Sequence, residues 1–421
     1  MQYFDSEYFT YKNNKLFCEE ISLTEIAEKI GTPTYIYSKK FFTDKYDEFS
    51  EAFKSIPHKI FYASKANFNI SVINLFYKLG AGIDVNSAGE FYRALKAGVS
   101  PEDMLLTGVG KTDDEIKLGL KNNVKLIKAE SLEEIYVIDK IAKELNKVAP
   151  LAIRVNPNVD PETHPYISTG LAENKFGIDE TIALDVFRKA AKLENINLVG
   201  IDMHIGSQIT TVQPFVDAIT KLVNLEQELR SDGIKLEHID IGGGIGIRYK
   251  DEKPFTPKEF AKAIIPILKQ TSCEIFFEPG RFLTANGGCL LSKVLYTKTN
   301  LDKNFIVVDT AMTDMLRPSI YKAYHHIQPV ERTNNNDITA DIVGPVCESG
   351  DFLGKKRIIT KPQRNDLIAI MSGGAYGMVM ASNYNARRRP AEVLVDGSKF
   401  EIIRERETLK QLILNEKINR L

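Results

Sequence analysis

Several apolar runs in this chain end on a group capable of chemistry. "FYASKANFN" carries Lys65, "MHIGSQ" carries His204 and Ser207, "IDIGGGIG" carries Gly242, Gly243 and Gly244, and "FFEPGR" carries Glu278, Gly280 and Arg281. A lysine drawn partly out of water gives up its proton more readily and can attack a carbonyl carbon to form a Schiff base. Adjacent glycines let backbone N–H groups close around a phosphate. Each feature alone has a plainer reading. Lys65 could be a solvated charge, His204 a satisfied core histidine, "IGGGIG" a tight turn and "EPGR" a strand-ending turn with a surface ion pair. Two nucleotide-binding loops are excluded. Ile247 stands where the last glycine of G-x-G-x-x-G belongs, and Leu105 stands where "TGVGKT" would need the first glycine of a Walker loop.

The elements that position these groups repeat. From about residue 58 to 281 a short β-rich run ends in small or polar residues and an amphipathic segment follows. The runs are "KIFYASK", "GIDVNS", "MLLTGV", "LIKAES", "LAIRVN", "GIDMHIG", "HIDIGGG" and "IFFEPG". Between them, segments such as "NISVINLFYKLG" and "TPKEFAKAIIPILKQT" repeat apolar residues at three and four, the helical period. Eight such units predict an α/β fold, a (β/α)8 TIM-type barrel over residues 31–281, in preference to a doubly wound open sheet. Beyond Arg281, "GGCLLSKVLYTKTN", "NFIVVDT", "ITADIVGPVC", "DLIAIMSG" and "AEVLVDG" read as strands split by turns. They predict an all-β domain over 282–421, joined by residues 1–30. In a barrel of this type the strands' C-terminal ends carry the active site, and phosphate is held by the loops after the last two strands. That rule places Lys65, Asp84, Asn86, Ser87, His204, Ser207, the glycine loop, Glu278 and Arg281 on one rim.

The bulk properties narrow the function. A formal net charge of −1 over 421 residues favours neither nucleic acid nor an anionic membrane as partner. Cys18, Cys273, Cys289 and Cys347 are scattered without a C-x-x-C pair, so a disulfide framework and a zinc knuckle are not indicated. None of the six histidines has a ligand partner at metal spacing, so no metal is expected. The N-terminus lacks the basic-then-apolar order of a signal peptide, and no run is long enough to span a bilayer, which predicts a cytoplasmic protein.

Taken together, a Schiff-base lysine, a phosphate cradle, a carboxylate able to hold a ring nitrogen and an imidazole able to stack on a ring are what pyridoxal 5'-phosphate requires. The motifs "YASKAN", "MHIGSQ", "GGGIG", "EPGR", "LRPSIYKAYHHI", "VCESGD" and "GAYGMVMASNYNARRRPAEVLV", in this order through both domains, resemble the diaminopimelate decarboxylases. That family belongs to the alanine racemase-like, barrel-type pyridoxal phosphate enzymes. The resemblance implies that Lys65 carries the cofactor, that His204 stacks on its ring and that Glu278 pairs with the ring nitrogen. It implies that the glycine loop at Gly243 and Gly244, the backbone near Gly280, and Tyr376 hold the phosphate, with Ser207 and Arg281 also among the cofactor-binding residues. It also implies that Arg281, Arg317 and Tyr321, with Tyr376, meet the substrate, that Glu348 meets its distal amine, and that Cys347 and Glu348 are donated across a homodimer interface. Cys347 and Lys65 both remain open as the proton donor after CO₂ is lost.

The implied activity is decarboxylation of meso-2,6-diaminopimelate to L-lysine, the last step of lysine biosynthesis. In the barrel racemases the position of Glu278 resembles an arginine, so glutamate argues for decarboxylation. Diaminopimelate keeps a second carboxylate after the first is spent, and two arginines with a tyrosine suit it. The rivals are a decarboxylase of the same fold acting on arginine, ornithine or carboxynorspermidine, an amino-acid racemase, and an inactive regulator. His325 and His326 read as packing residues or as supports for the residues of the site, Arg387 to Arg389 receive no chemistry, and Asp160–Lys175 is a candidate lid.

Overall fold

The eight β-rich runs are the staves of a closed parallel barrel. The computed structural model describes residues 3–160 and 174–419. The staves are β1 (His58–Ala63), β2 (Gly82–Val85), β3 (Met104–Leu106), β4 (Leu126–Ala129), β5 (Ala149–Asn156), β6 (Ile196–Asp202), β7 (His238–Asp240) and β8 (Glu274–Phe277). Each pairs with the next in parallel, and β8 pairs with β1 to close the ring. The small polar residues after the strands are helix N-caps. Asn69, Ser87 and Ser131 accept from the backbone N–H of Ser71, Glu90 and Glu134 at 3.0, 3.2 and 3.1 Å. Thr112 with Glu115 and Thr256 with Glu259 form reciprocal capping boxes, the second with Pro257 at the first helical position.

Side chains two apart on a strand share a face, and this period explains the barrel interior. Phe61, Leu105, Leu126, Ala152, Val199 and Phe276 form one buried apolar cluster. One step toward the C-terminal rim on the same faces come Thr107 above Leu105, Lys128 above Leu126, Arg154 above Ala152 and Glu278 above Phe276. Asp202 and Asp240 end β6 and β7, Asp84 is the last residue but one of β2, and all three are buried. An apolar floor therefore carries a charged upper layer.

Residues 43–248 with 252–282 form this barrel unit, and residues 1–42, 249–251 and 283–421 form a second unit. The second unit's main sheet runs in the order Phe352–Thr360, Asp337–Val343, Lys303–Val308, Gly288–Asn300, Thr34–Ser38, Ala391–Asp396, Lys399–Arg404. Leu367–Met371 pairs with Gly288–Asn300 and with Ile327–Pro329. The strand Thr34–Ser38 differs from the expectation that the barrel starts at residue 31. It is buried at every position, antiparallel to Gly288–Leu291 and parallel to Ala391–Val395, so residues 31–42 group with the β unit. No helix among the described residues is long and apolar enough to cross a membrane.

Candidate active site

Lys65 lies in a single 3₁₀ turn, Ser64–Ala66, immediately after β1. Its ammonium is 3.5 Å from Asp84 Oδ2 on β2. Asp84 is fully buried, accepts from the Thr107 hydroxyl through Oδ1 and from Asn86 Nδ2 at 3.3 Å. The neighbours of Lys65 hold the turn. Ser64 Oγ lies 2.8 Å from the Asp84 carbonyl oxygen and 3.0 Å from Glu90 Oε2, with one proton to share between them, while the Asn67 carbonyl accepts from the Tyr62 hydroxyl at 2.9 Å.

His204 follows β6, and its Nδ1 accepts the Gly243 N–H at 3.2 Å. That bond requires an unprotonated Nδ1, which leaves the proton on Nε2. Burial first, then the positive charges of Lys65, Arg154 and Lys128, hold its pKa well below the usual imidazole value, so the ring is neutral. The glycine loop admits no side chains. A Cβ on Gly243 would sit 2.2 Å from the Glu278 carbonyl oxygen, and Gly244 has φ +97°. At Gly280 a Cβ would meet the Cβ atoms of Ala66 and Ala63 at 2.9 and 3.2 Å, in the turn that carries Lys65. Arg281 Nη2 donates to Ser207 Oγ at 2.8 Å. The barrel unit thus brings Lys65, His204, Ser207, the glycine loop, Gly280, Glu278 and Arg281 to one rim.

Glu278 has a neighbourhood the sequence reading missed. Its Oε1 lies 2.5 Å from the ammonium of Lys128, which also meets Asp202 at 2.8 Å and Asp240 at 2.6 Å. Lys128 is fully buried. Burial alone would lower its pKa, but Asp202, Asp240, Glu278 and Asp84 outweigh it and raise the value well above the usual one. Burial, then Asp240 and Asp84, push the Glu278 carboxyl up against the pull of Lys128, and Asp240 is raised to about 6, chiefly by burial. The carboxylates of Asp202, Asp240 and Glu278 lie close enough to hold a cation, and the lysine ammonium takes that place. One signal for this cluster was available. "LIKAES", "GIDMH" and "HIDIGG" each set a charge inside a strand of the kind that is buried on both faces.

In the second unit, Arg317 opens the short helix Arg317–Tyr321 and its guanidinium lies 6.0 Å from the Tyr321 ring centre and 5.1 Å from that of Tyr249. Arg317 Nε donates to His325 Nε2 at 3.2 Å, and His325 Nδ1 donates to the Met371 carbonyl at 2.9 Å. His325 therefore orients Arg317. Cys347 and Glu348 are exposed in a loop tied down by Asp351, which accepts from the N–H groups of Met312 and Val346 at 2.6 and 2.7 Å. Tyr376 is held at φ +55°, a conformation that is costly for a side chain this large and that clusters at functional sites. Arg387 donates to the Asp309 carbonyl at 2.7 Å and Arg389 pairs with Glu407 at 3.3 Å, so both serve structure. Residues 161–173 of the candidate lid lie outside the described residues.

Residues 40–285 match the family model described as "Pyridoxal-dependent decarboxylase, pyridoxal binding domain". Diaminopimelate decarboxylase of Haemophilus influenzae is 46% identical over 407 residues, covering 96% of this chain and 98% of that protein. The chain belongs to the diaminopimelate decarboxylase family. Two solved members share its architecture. The Helicobacter pylori diaminopimelate decarboxylase complexed with L-lysine is 40% identical with a TM-score of 0.90, covering 93% of this chain and 98% of that one. The M. jannaschii diaminopimelate decarboxylase in co-complex with L-lysine is 39% identical with a TM-score of 0.93, covering 98% of each chain.

Pyridoxal phosphate is the cofactor of this family, and the barrel's donor set fits it. The loop at Gly243 and Gly244 offers backbone where a side chain could not stand. Glu278 uses Oε1 for Lys128, and among the described residues no partner binds Oε2. His204 presents an uncharged ring. A neutral aromatic face, a carboxylate oxygen, a lysine and a bare backbone loop match a pyridine ring, its nitrogen, an aldehyde and a phosphate.

Proposed function

We propose that this chain decarboxylates meso-2,6-diaminopimelate to L-lysine and CO₂ with pyridoxal phosphate, the last step of lysine biosynthesis. The observation that carries this reading is the near-full-length similarity to diaminopimelate decarboxylases. It is supported by a barrel rim whose lysine, neutral imidazole, carboxylate and glycine loop suit the cofactor. Bound pyridoxal phosphate supplies an electron sink for the pair of electrons left when CO₂ departs.

The chain's own residues do the rest. Lys65 anchors the cofactor and yields its place to the substrate amine. Glu278 holds a proton on the ring nitrogen, which deepens the sink. His204, kept neutral by burial and by the Gly243 N–H, packs against the ring without adding a charge that would compete with that proton. Gly243, Gly244, Gly280, Ser207, Arg281 and Tyr376 hold the phosphate. Arg317, fixed in direction by His325, and Tyr321 receive the carboxylate that diaminopimelate retains, with Arg281 as a second cation. Glu348 meets the distal amine, and Cys347 or Lys65 returns a proton to the carbon that lost CO₂. The exposed positions of Cys347 and Glu348 suit donation to a neighbouring subunit, so the working unit is a homodimer with shared sites. Dispersed free cysteines suit a cytoplasmic setting.

The test is CO₂ release from meso-diaminopimelate by purified protein, with and without added pyridoxal phosphate, against arginine, ornithine and carboxynorspermidine. Cofactor-dependent release with diaminopimelate as the preferred substrate is expected. Faster turnover of ornithine or arginine would replace the substrate assignment, and no release from any of them would remove the activity.

A further inference from the structure

The charged layer of the barrel contains a lysine that binds neither substrate nor cofactor in the proposed mechanism. Lys128 is fully buried, lies on the interior face of β4 and spends its ammonium on three carboxylates from three other strands or their ends: Asp202 of β6, Asp240 of β7 and Glu278 just after β8. Asp84 of β2 acts on it as well. A buried lysine is costly unless fully paired, and the cluster one step below it on the same face is wholly apolar. The three carboxylates also need a cation, since like charges this close cannot all stay ionised in an apolar surround.

We propose that Lys128 is the positioning residue for Glu278, clamping Oε1 between Asp202 and Asp240 so that Oε2 is directed at the pyridine nitrogen of the cofactor. This rests on the assignment of Glu278 to that nitrogen. The ammonium acts in two ways. It fixes the rotation of the carboxylate, because Oε1 is held at 2.5 Å by a donor that is itself held from two other strands. Its charge also opposes the tendency of burial, Asp240 and Asp84 to leave a proton on Glu278. A Glu278 that kept its own proton would offer no negative charge to accept and hold an N–H on the ring. The charged groups facing the cluster are Asp84, Asp202, Asp240 and Glu278, with Lys65 on Asp84 and His204 beside them.

The experiment compares Lys128→Met, Glu278→Gln and the double variant as purified full-length holoenzymes. Apoprotein is also titrated with pyridoxal phosphate and followed by absorbance. Lys128→Met should lower kcat by about 10- to 100-fold, the scale of groups that orient a directly acting residue. KM for diaminopimelate should stay within about 3-fold, since the interaction lost is with the ring and not with substrate carboxylates. Cofactor affinity should fall in Lys128→Met and in Glu278→Gln alike. The double variant should be no worse than Glu278→Gln, because one residue acts through the other. Losses that multiply in the double variant, or a Lys128→Met enzyme equal to wild type beside a crippled Glu278→Gln, overturn the role of Lys128 and leave that of Glu278 standing. A harmless Glu278→Gln overturns both. If Lys128→Met does not fold, Lys128→Met/Asp240→Asn removes a negative charge with the positive one and is read against Asp240→Asn by the same criteria.

Discussion

At the scale of single residues, function here depends on side chains whose partners fix direction. Arg317 shows the point: its guanidinium can reach many orientations, and the His325 imidazole selects one by accepting from Nε while its own Nδ1 is committed to the Met371 carbonyl. Fixing the Nε edge fixes the plane of the guanidinium, and a planar fork held in one direction is what bidentate recognition of a carboxylate requires. Arg317→Ala should raise KM for diaminopimelate by about 10- to 100-fold, the worth of a hydrogen bond to a charged group. His325→Phe keeps the ring volume but loses the acceptor, and should raise KM by about 3- to 10-fold, since the arginine survives without its guide. Steady-state kinetics check both, with the absorbance of bound cofactor as the control that should not move. An unchanged KM in Arg317→Ala removes it from the substrate site. A His325→Phe enzyme as impaired as Arg317→Ala would show the imidazole touching substrate itself.

At the scale of elements, much of the design was legible. Each barrel strand was marked by a β-rich run, and the polar residues closing several of the runs proved to be the N-caps of the helices that follow, so the unit could be read from pattern alone. The rim residues Lys65, His204 and Glu278 were visible because strand ends are where this fold keeps its chemistry. Lys128 was hidden by its type: among 55 lysines and arginines, one in "LIKAES" looks solvated until the strand is known to be buried on both sides. Thr34–Ser38 was hidden by topology, since nothing local tells a strand that its partners are Gly288–Leu291 and Ala391–Val395, over two hundred positions away. Asp314 was passed over because a lone aspartate between two strands reads as a turn. It is buried, and burial lifts its carboxyl to about 7 against the Ala311 N–H and the charge of Arg387. The unfolded carboxyl titrates near 3.9. Between those values the folded chain holds a proton that the unfolded chain has lost, so this group's contribution is complete below about pH 4 and is lost as pH rises toward 7. Asp314→Asn keeps an acceptor for Ala311 and cannot ionise. Its melting temperature should gain on that of the wild type from pH 5 to about 7 and level off above that, measured by thermal denaturation at each pH. A constant offset across that range would show that Asp314 does not titrate there.

At the scale of the whole molecule, the open question is how many chains make one site. The barrel rim presents the residues proposed to hold the cofactor, while Cys347 and Glu348 stand exposed on a loop of the second unit whose backbone is pinned by Asp351. A rigid loop that displays a thiol and a carboxylate to solvent is poorly explained by the needs of one chain, and is well explained if a second copy receives them. Sharing of that kind has an arithmetic signature. Lys65→Ala chains and Cys347→Ala chains should each be nearly inactive as homodimers. After unfolding and refolding in equal mixture, about half of the dimers should be mixed by random closed pairing. In a mixed dimer one site carries both defects and the other carries neither, because its Lys65 and its Cys347 come from different chains. Activity should therefore recover to about one quarter of the wild-type value, half the dimers with one working site in two. If each chain instead builds its site alone, every site in the mixture keeps one defect and no activity returns. The two outcomes differ by the whole signal, and gel filtration of the mixture confirms that dimers were present to be counted.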